Sequence, residues 1–302
     1  MYGKINQGEM MKNKKMMKRL LTFIVMLVII VYSVLELTTF SVKRVEIDVQ
    51  QRALKLLPQS FDGLSVVFFS DIHFNNFMDS ERLTPFIDTI NSLNPDLILF
   101  GGDLFDHPSV DYPNEHTIEQ LTQLLSTLNA PYGKYAVLGN HDHESTTTKN
   151  LTISLLHDAG FTTLINESIQ LYHPSGDFIN LVGIDSQLLG NPDIEKAYSN
   201  IETTTSTITL SHTPDIIDQL DHNLTQWQLS GHSHGGQISL PFYGPVYKVP
   251  YAEKFPTSQA DVRGIILDVS NGVGTTRLDM RLFANPQIHY FTLKGVSNDA
   301  SN

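Results

Sequence analysis

The chain has 302 residues, with 32 acidic against 20 basic side chains and a formal net charge of −12. Hydrophobic residues make up 41% of it, enough to build a core and to exclude a disordered polypeptide. It contains no cysteine, which excludes disulfides, thiolate nucleophiles and Cys-ligated zinc or iron–sulfur sites, so any metal must be held by His, Asp, Glu, Asn or backbone oxygen.

The charge is unevenly spread. Lys4, Lys12, Lys14, Lys15, Lys18 and Arg19 stand against Glu9 alone in residues 1–19, so the rest is more acidic than the net value suggests. With no basic stripe in that remainder, a nucleic-acid partner is not expected. Residues 20–35 then read LLTFIVMLVIIVYSVL, with Thr22 and Ser33 as the clearly polar members. With its flanks the run approaches the ~20 residues that span a bilayer. The basic cluster keeps the N-terminus cytoplasmic and sends the chain after residue 40 outside. Glu36, Leu37, Thr38, Thr39 and Phe40 offer no A-x-A-like cleavage site, so a retained anchor is predicted rather than a signal peptide. The expected organisation is a basic cytoplasmic segment (1–19), a membrane anchor (20–37) and one catalytic domain (41–296), in a single-pass protein of the cell membrane.

Beyond the anchor, residues 41–50 alternate as a strand or stalk, with Val42, Val45, Ile47 and Val49 apolar. Continuous apolar runs at 64–70 and 95–100 predict buried strands, and 133–138 a third. Residues 80–93 place Leu83, Phe86, Ile87 and Ile90 on one helical face, and 117–128 do the same with Ile118, Leu121, Leu124 and Leu125. A third helix over 147–159 stops at Gly160. Later strands are predicted at 178–184, 207–210, 226–229, 264–269 and 288–293. Strand–helix alternation early and mostly strands late predicts an α/β sandwich rather than one doubly wound sheet.

Five short segments carry the chemistry: Ser70-Asp71-Ile72-His73, Gly101-Gly102-Asp103-Leu104-Phe105-Asp106, Gly139-Asn140-His141-Asp142, Ser211-His212 and Gly231-His232-Ser233-His234-Gly235-Gly236. Most follow a predicted strand, and α/β sheets place their sites at carboxyl ends of strands. Asp71 and His73, like His232 and His234, are two apart, so on extended backbone they point to one side. Oxygen from Asp and Asn with nitrogen from His suits manganese, iron or zinc rather than copper or an all-oxygen calcium cage. Two such cations clamp the attacking and leaving oxygens of a phosphoryl centre and acidify a shared water.

The ordered set D-x-H, G-D-x-x-D, G-N-H-D, H and G-H-x-H resembles the calcineurin-like metallophosphoesterase superfamily, with no element missing between Asp71 and His234. The tail, G-H-S-H-G-G-Q at 231–237, L-P-F-Y-G-P at 240–245 and V-S-N-G-V-G-T-T at 269–276 with Arg281-Leu282, is similar to its membrane-anchored phosphodiesterase branch. The resemblance implies a four-layer α/β/β/α sandwich of two mixed sheets behind the transmembrane helix, and two divalent metal ions, manganese first, with iron or zinc as alternatives. It assigns Asp71, His73 and His234 to the first metal, Asp103 to both, and Asn140, His212 and His232 to the second. His141 would be the general acid and Asp106 the carboxylate hydrogen-bonded to it, while Asp142 would support ligands without being one. The implied reaction is hydrolysis of a phosphodiester or diphosphate by a metal-bridged hydroxide.

Two positions depart from the phosphoprotein-phosphatase pattern. His107 and Pro108 follow Asp106 where that branch carries Arg, and Phe74 replaces the Gly after D-x-H. Both favour a diesterase or pyrophosphatase. An anchor at the outer face favours a phosphorylated small-molecule or lipid-linked substrate, since tethering raises local concentration. A UDP-sugar–lipid diphosphate suits the branch but needs cytoplasmic access, against the predicted topology. The alternatives are a nuclease with the same chemistry, opposed by the acidic body, and a non-enzymatic metal-binding module, opposed by the complete ligand set. His116, His157, His173, His222 and His289 read as ordinary surface or core residues, whereas His107 and His143 flank motifs and can line the cleft. Residues 240–256, rich in Pro and aromatics, read as a rigid connector or a substrate- or membrane-facing loop, and 271–276 as a glycine turn beside the site or a simple bend.

Overall fold

The computed structural model describes residues 7–38, 46–74 and 77–296. Helix α1 (Gln7–Thr38) has 32 residues, and its stretch Lys12–Ser33 is a candidate membrane span whose apolar window is not buried inside the protein. It starts earlier than the apolar run because the Lys- and Met-rich segment ahead is itself helix-favouring. The hydroxyls of Thr22 and Ser33 donate to the carbonyls of Lys18 and Ile29 at 3.0 and 2.8 Å. Both hydroxyls are therefore satisfied within the helix itself.

Of the strand expected from residue 41, positions 41–45 lie outside the described residues, and β1 runs Glu46–Leu54. It pairs parallel with β14 (Gln287–Gly295), which pairs antiparallel with β2 (Ser65–Phe69). Parallel β3 (Leu97–Phe100), β4 (Lys134–Ala136) and β5 (Thr162–Thr163) complete a six-stranded mixed sheet. The second sheet runs β12 (Ser258–Val262), β13 (Ile265–Val269), β9 (Trp227–Ser230), β8 (Thr207–Ser211), β7 (Phe178–Ile184), β6 (Glu167–Tyr172). Its four central strands are parallel and its two edges antiparallel. A small hairpin joins β10 (Ser239–Leu240) to β11 (Gly244–Pro245).

The two sheets face each other. Val66 and Phe68 of β2 and Leu97 and Leu99 of β3 point inward to meet Ile208, Leu210, Trp227 and Leu229. Val67, Phe69, Ile98 and Phe100 point outward, under helices α2 (Ser80–Ser92), α3 (Glu115–Ser126) and α4 (Thr146–Asp158). β2 is therefore covered on both faces, which explains a run of five buried residues without polar alternation. The helices start at side-chain caps: Asp79 accepts from Arg82 N, Asn114 from Thr117 N and Ser145 from Thr148 N. The fourth layer is thin. It consists of the short helix α5 (Ile194–Ala197) and the 3-10 turn Pro214–Gln219, whose Ile216 and Ile217 pack on Val182, Ile184 and Leu267. Away from the strand tips, a buried polar link also crosses the sandwich. Arg52 Nε of β1 donates to Asp268 Oδ2 of β13 at 2.6 Å, and Trp227 Nε1 donates to the same oxygen at 2.7 Å.

Candidate metal centre

All five motifs emerge from carboxyl ends of strands. β2 and β3 lead to Asp71 and Asp103, β4 to Asn140, and in the facing sheet β8 and β9 lead to His212 and His232. The tips are joined backbone to backbone. Asp71 N and His73 N donate to the carbonyls of Gly102 and Asp103 at 2.9 and 3.2 Å, and Gly231 N to His212 O at 3.0 Å. His232 N reaches both oxygens of Asp71 at 3.1 Å, which ties the two sheets together at the site.

Asp71, His73, Asp103, His232 and His234 all have positive φ, between 48° and 68°. Non-glycine residues rarely adopt this region, and when they do they concentrate at functional sites held by their surroundings. Close approach is the reason for the glycines just before Asn140 and His232. A Cβ on Gly139 would sit 2.1 Å from Asp103 Oδ1, and one on Gly231 would sit 2.4 Å from Asp71 Oδ2. The turn at 271–276 lies against the site, because a Cβ on Gly272 would fall 2.7 Å from that of Asp71.

The side chains gather into two neighbouring clusters, Asp71 with His73 and His234, and Asp103 with His212 and His232. Both are buried. The Nε2 atoms of His73 and His234 face each other at 3.0 Å, and Asp71 Oδ1 lies 3.6 Å from His234 Nε2. Asp103 Oδ2 lies 3.2 Å from His212 Nε2 and 3.7 Å from His73 Nε2, between the clusters. His212 Nδ1 donates to Gly101 O at 2.7 Å, so in the neutral ring the lone pair is on Nε2, an atom with no hydrogen-bond partner. His232 Nε2 donates to Pro250 O at 2.8 Å, which frees Nδ1. Asn140 Oδ1 is likewise buried and unpartnered. Inward-facing lone pairs on oxygen and nitrogen, without protons to share, fit divalent cations.

Electrostatics follow from burial and these neighbours. Burial and the charge of Asp103 raise the Asp71 carboxyl. Asp103 stays well below the usual range despite burial, because His212 and His141 lie beside it. Burial opposes protonation of His212, yet Asp103 lifts it to about 9. Burial and neighbouring His212 push His232 down to about 3. Burial, His73 and the guanidinium of Arg281 hold His234 well below its ordinary value, so it is neutral and ready to donate a lone pair.

His141 Nδ1 lies 2.9 Å from Glu144 Oε1. Asp106, the carboxylate expected beside His141, has its Oδ1 3.4 Å from His73 Nδ1, where it also accepts from Thr276 Oγ1 at 3.2 Å. Glu144 sits three residues on in the same tight loop and reaches back over His141, while the tip holding Asp106 pairs with that of His73. The charge of Asp106 also reaches His141. Burial opposes a charged His141, but Asp103, Glu144 and Asp106 together raise it to about 9. Glu144 is in turn lowered, against burial, to about 2 by His141 and Ser109. The same carboxylate binds His107 Nδ1 at 2.8 Å, which brings that ring to the cleft wall. His143 is instead sealed in a pair with Asp185 at 2.5 Å, away from the cleft. Asp142 accepts from the backbone N–H groups of Asp103, Leu104 and Gly139 at 2.9, 3.1 and 2.8 Å, and Thr152 of α4 supports it.

Residues 64–236 match the model of the calcineurin-like phosphoesterases. A Bacillus subtilis (strain 168) relative, the uncharacterized metallophosphoesterase YkuE, is 39% identical over 242 residues, which is 80% of this chain and 83% of that one. The chain belongs to the calcineurin-like phosphoesterase family. It is a metal-dependent phosphoester hydrolase. The UDP-2,3-diacylglucosamine pyrophosphatase LpxG of Chlamydia trachomatis is 31% identical over 231 residues, 62% of this chain and 69% of that protein. A Danio rerio transmembrane protein with a metallophosphoesterase domain is 28% identical over 261 residues, 79% of this chain and 55% of that one. Within the family frame, Glu144 and Arg281 are the residues that motif reading passed over. Glu144 had a signal in its spacing from His141, and Arg281, buried beneath His234, had none but its place in the tail motif.

Proposed function

We propose that residues 41–296 form the catalytic domain of a two-metal enzyme that hydrolyses phosphodiester or diphosphate bonds. In this reading it is held at the outer membrane face by residues 20–37, with residues 1–19 cytoplasmic. The observation that carries the reading is the pair of buried clusters sharing Asp103 Oδ2, with lone pairs of His212 and Asn140 left unpartnered. Asp71, His73 and His234 would hold one cation, Asn140, His212 and His232 the other, and Asp103 both. Cations bound there would supply an acidified water and positive charge beside the phosphoryl group. Glu144 fixes His141 through Nδ1, so the proton delivered to the leaving oxygen is the one on Nε2. Asp103 Oδ1 accepts from the backbone N–H of His141 at 2.8 Å, which sets the acid against the metal cage. The diphosphate option draws support from the pyrophosphatase among the relatives, and manganese from the mixed oxygen and nitrogen donor set.

The test is full-length protein assayed on phosphomonoester, phosphodiester and pyrophosphate substrates with manganese, iron or zinc, beside Asp103→Asn. Turnover of a diester or diphosphate that disappears in the variant supports the reading. Wild-type rates in Asp103→Asn, or action on monoesters alone, overturn it. A reporter fused after residue 302 tests the orientation, and cytoplasmic reporter activity would reverse it.

A further inference from the structure

The catalytic floor, with Asp103, Asn140, His141 and His232, opens into a cleft of about 330 Å³. The opposite wall is of another kind. Leu188, Ile238, Val246, Val249 and Leu278 line it, and Arg277 stands among them as a cation, its guanidinium 5.9 Å from the Tyr247 ring. The two wall segments are stitched together. Gln237 bonds Thr276 N, Thr276 O and Leu278 O at 2.9 to 3.0 Å, and Val246 N bonds Ile238 O at 2.9 Å. The wall is therefore a built surface.

That apolar surface continues out of the cleft. Phe242 and Tyr243 are fully or largely exposed, at 111% and 75%, and Leu278 and Phe283 are more than half exposed. Exposed aromatics on one rim mark a contact surface. Its position identifies the contact. Phe283 stacks on Tyr32 of α1, with ring centroids 5.3 Å apart and planes 12° apart. Tyr32 lies at the C-terminal end of the candidate span Lys12–Ser33, where tyrosines settle at the boundary between lipid and water. With α1 in a bilayer, Phe283 is at the level of the lipid headgroups and the cleft opens beside them.

We propose that the cleft takes a membrane-resident amphiphile. Its phosphoryl group would lie between the metal cage and Arg277, and its alkyl or acyl chain would run along Val246 and Leu278 to the Phe242–Tyr243 rim. This rests on the hydrolytic reading above and adds the substrate class. A soluble phosphoester needs the floor and Arg277 but has no use for an apolar wall that leads to the bilayer surface, and a chain in that groove gains free energy with each methylene removed from water.

The experiment uses the full-length protein in phosphatidylcholine vesicles with manganese, and two p-nitrophenyl phosphodiesters that differ only in their second ester, methyl or hexadecyl. Water cleaves the aryl ester of each, releasing p-nitrophenol and the alkyl phosphate. The expected kcat/KM is at least tenfold higher for the hexadecyl ester. Partition into the vesicle alone can produce a preference, so the variants decide. Val246→Asp and Leu278→Asp bring the hexadecyl-to-methyl ratio severalfold closer to one, while Tyr172→Ser, on an edge strand of the second sheet, leaves the ratio intact. Equal rates for the two esters in the wild type overturn the proposal and leave the hydrolytic reading standing. So does a hexadecyl preference that Val246→Asp and Leu278→Asp do not change. Absence of turnover on both esters overturns the hydrolytic reading and this proposal with it.

Discussion

The floor of the cleft and its outer wall are built on opposite principles. The floor is buried and polar: ligands from five strand tips, with strained backbone at three of them and backbone hydrogen bonds running between tips. The wall is exposed and apolar, carried on loops between short strands, with Phe242 and Tyr243 in contact with little else. A metal cage tolerates no freedom, because donor atoms a few tenths of an ångström out of place lose the cation. A surface that meets disordered chains gains nothing from such precision. One fold thus keeps its chemistry fixed at the sheet ends while leaving recognition to loops that can vary.

The largest break in that comparison is expected at Asp103. In Asp103→Asn the amide oxygen can still accept from His141 N, but the negative charge between the clusters is gone. We expect a loss of kcat of roughly 10³ or more, in line with removal of a principal electrostatic group, and a fall in retained metal by elemental analysis. An unchanged melting temperature beside these losses would separate chemistry from folding. Full metal retention would show that Asp103 is not shared.

Asp142 sharpens the contrast from the structural side. Its carboxylate accepts from three buried N–H groups on two motifs. Asp142→Ala leaves those donors unsatisfied, which costs about 3 kcal/mol of stability. Urea unfolding should show it as a lower midpoint with an unchanged slope. A shift below about 0.5 kcal/mol, the range of ordinary surface substitutions, would mean that the tips hold together without this clamp.

The difference between the two regions also explains what the sequence reveals. The sheet sandwich is legible because β2 and β3 are continuous apolar runs and α2 and α3 carry their apolar residues on one face. The short strands β5 and β10 are not, since two residues have no period to read, and β12 is too polar to stand out. The cage is legible because ligand spacing is dictated by strand ends. The contact of His141 with Glu144 is not: the motif pattern draws attention to Asp106 on another strand tip, and only the turn of the backbone after Asn140 brings Glu144 back over the ring. The Pro- and aromatic-rich segment 240–256 reads in sequence equally as a connector or as a substrate- or membrane-facing loop, and the stacking of Phe283 on Tyr32 is what favours the second.

Glu144 gives a smaller and pH-dependent effect. Its charge is among those that raise His141, so Glu144→Gln lowers the pKa of the imidazole. A proton donor works below its pKa and fails above it. The alkaline limb of the kcat profile should therefore move to lower pH in the variant, with a loss of about ten- to a hundredfold at pH 8. A uniform loss at every pH with an unmoved limb would mean that Glu144 only supports the loop with Ser109.

The smallest expected effect is on the stability of the wall. Leu278 is 56% exposed and Val246 54%, so in the folded protein each already meets solvent or lipid with much of its side chain. Replacement by Asp removes little buried apolar contact, strands no hydrogen-bond partner and adds a charge that water can solvate. The expected change in unfolding free energy is within about 0.5 kcal/mol for each, measured in detergent-solubilised full-length protein. A destabilisation of about 2 kcal/mol or more, the scale of a core truncation, would show that the wall is packed interior that supports the cage. The division between a rigid floor and a free rim would then be wrong. A negligible change would mean that these apolar side chains are not retained for folding, which leaves contact with something outside the chain as their purpose.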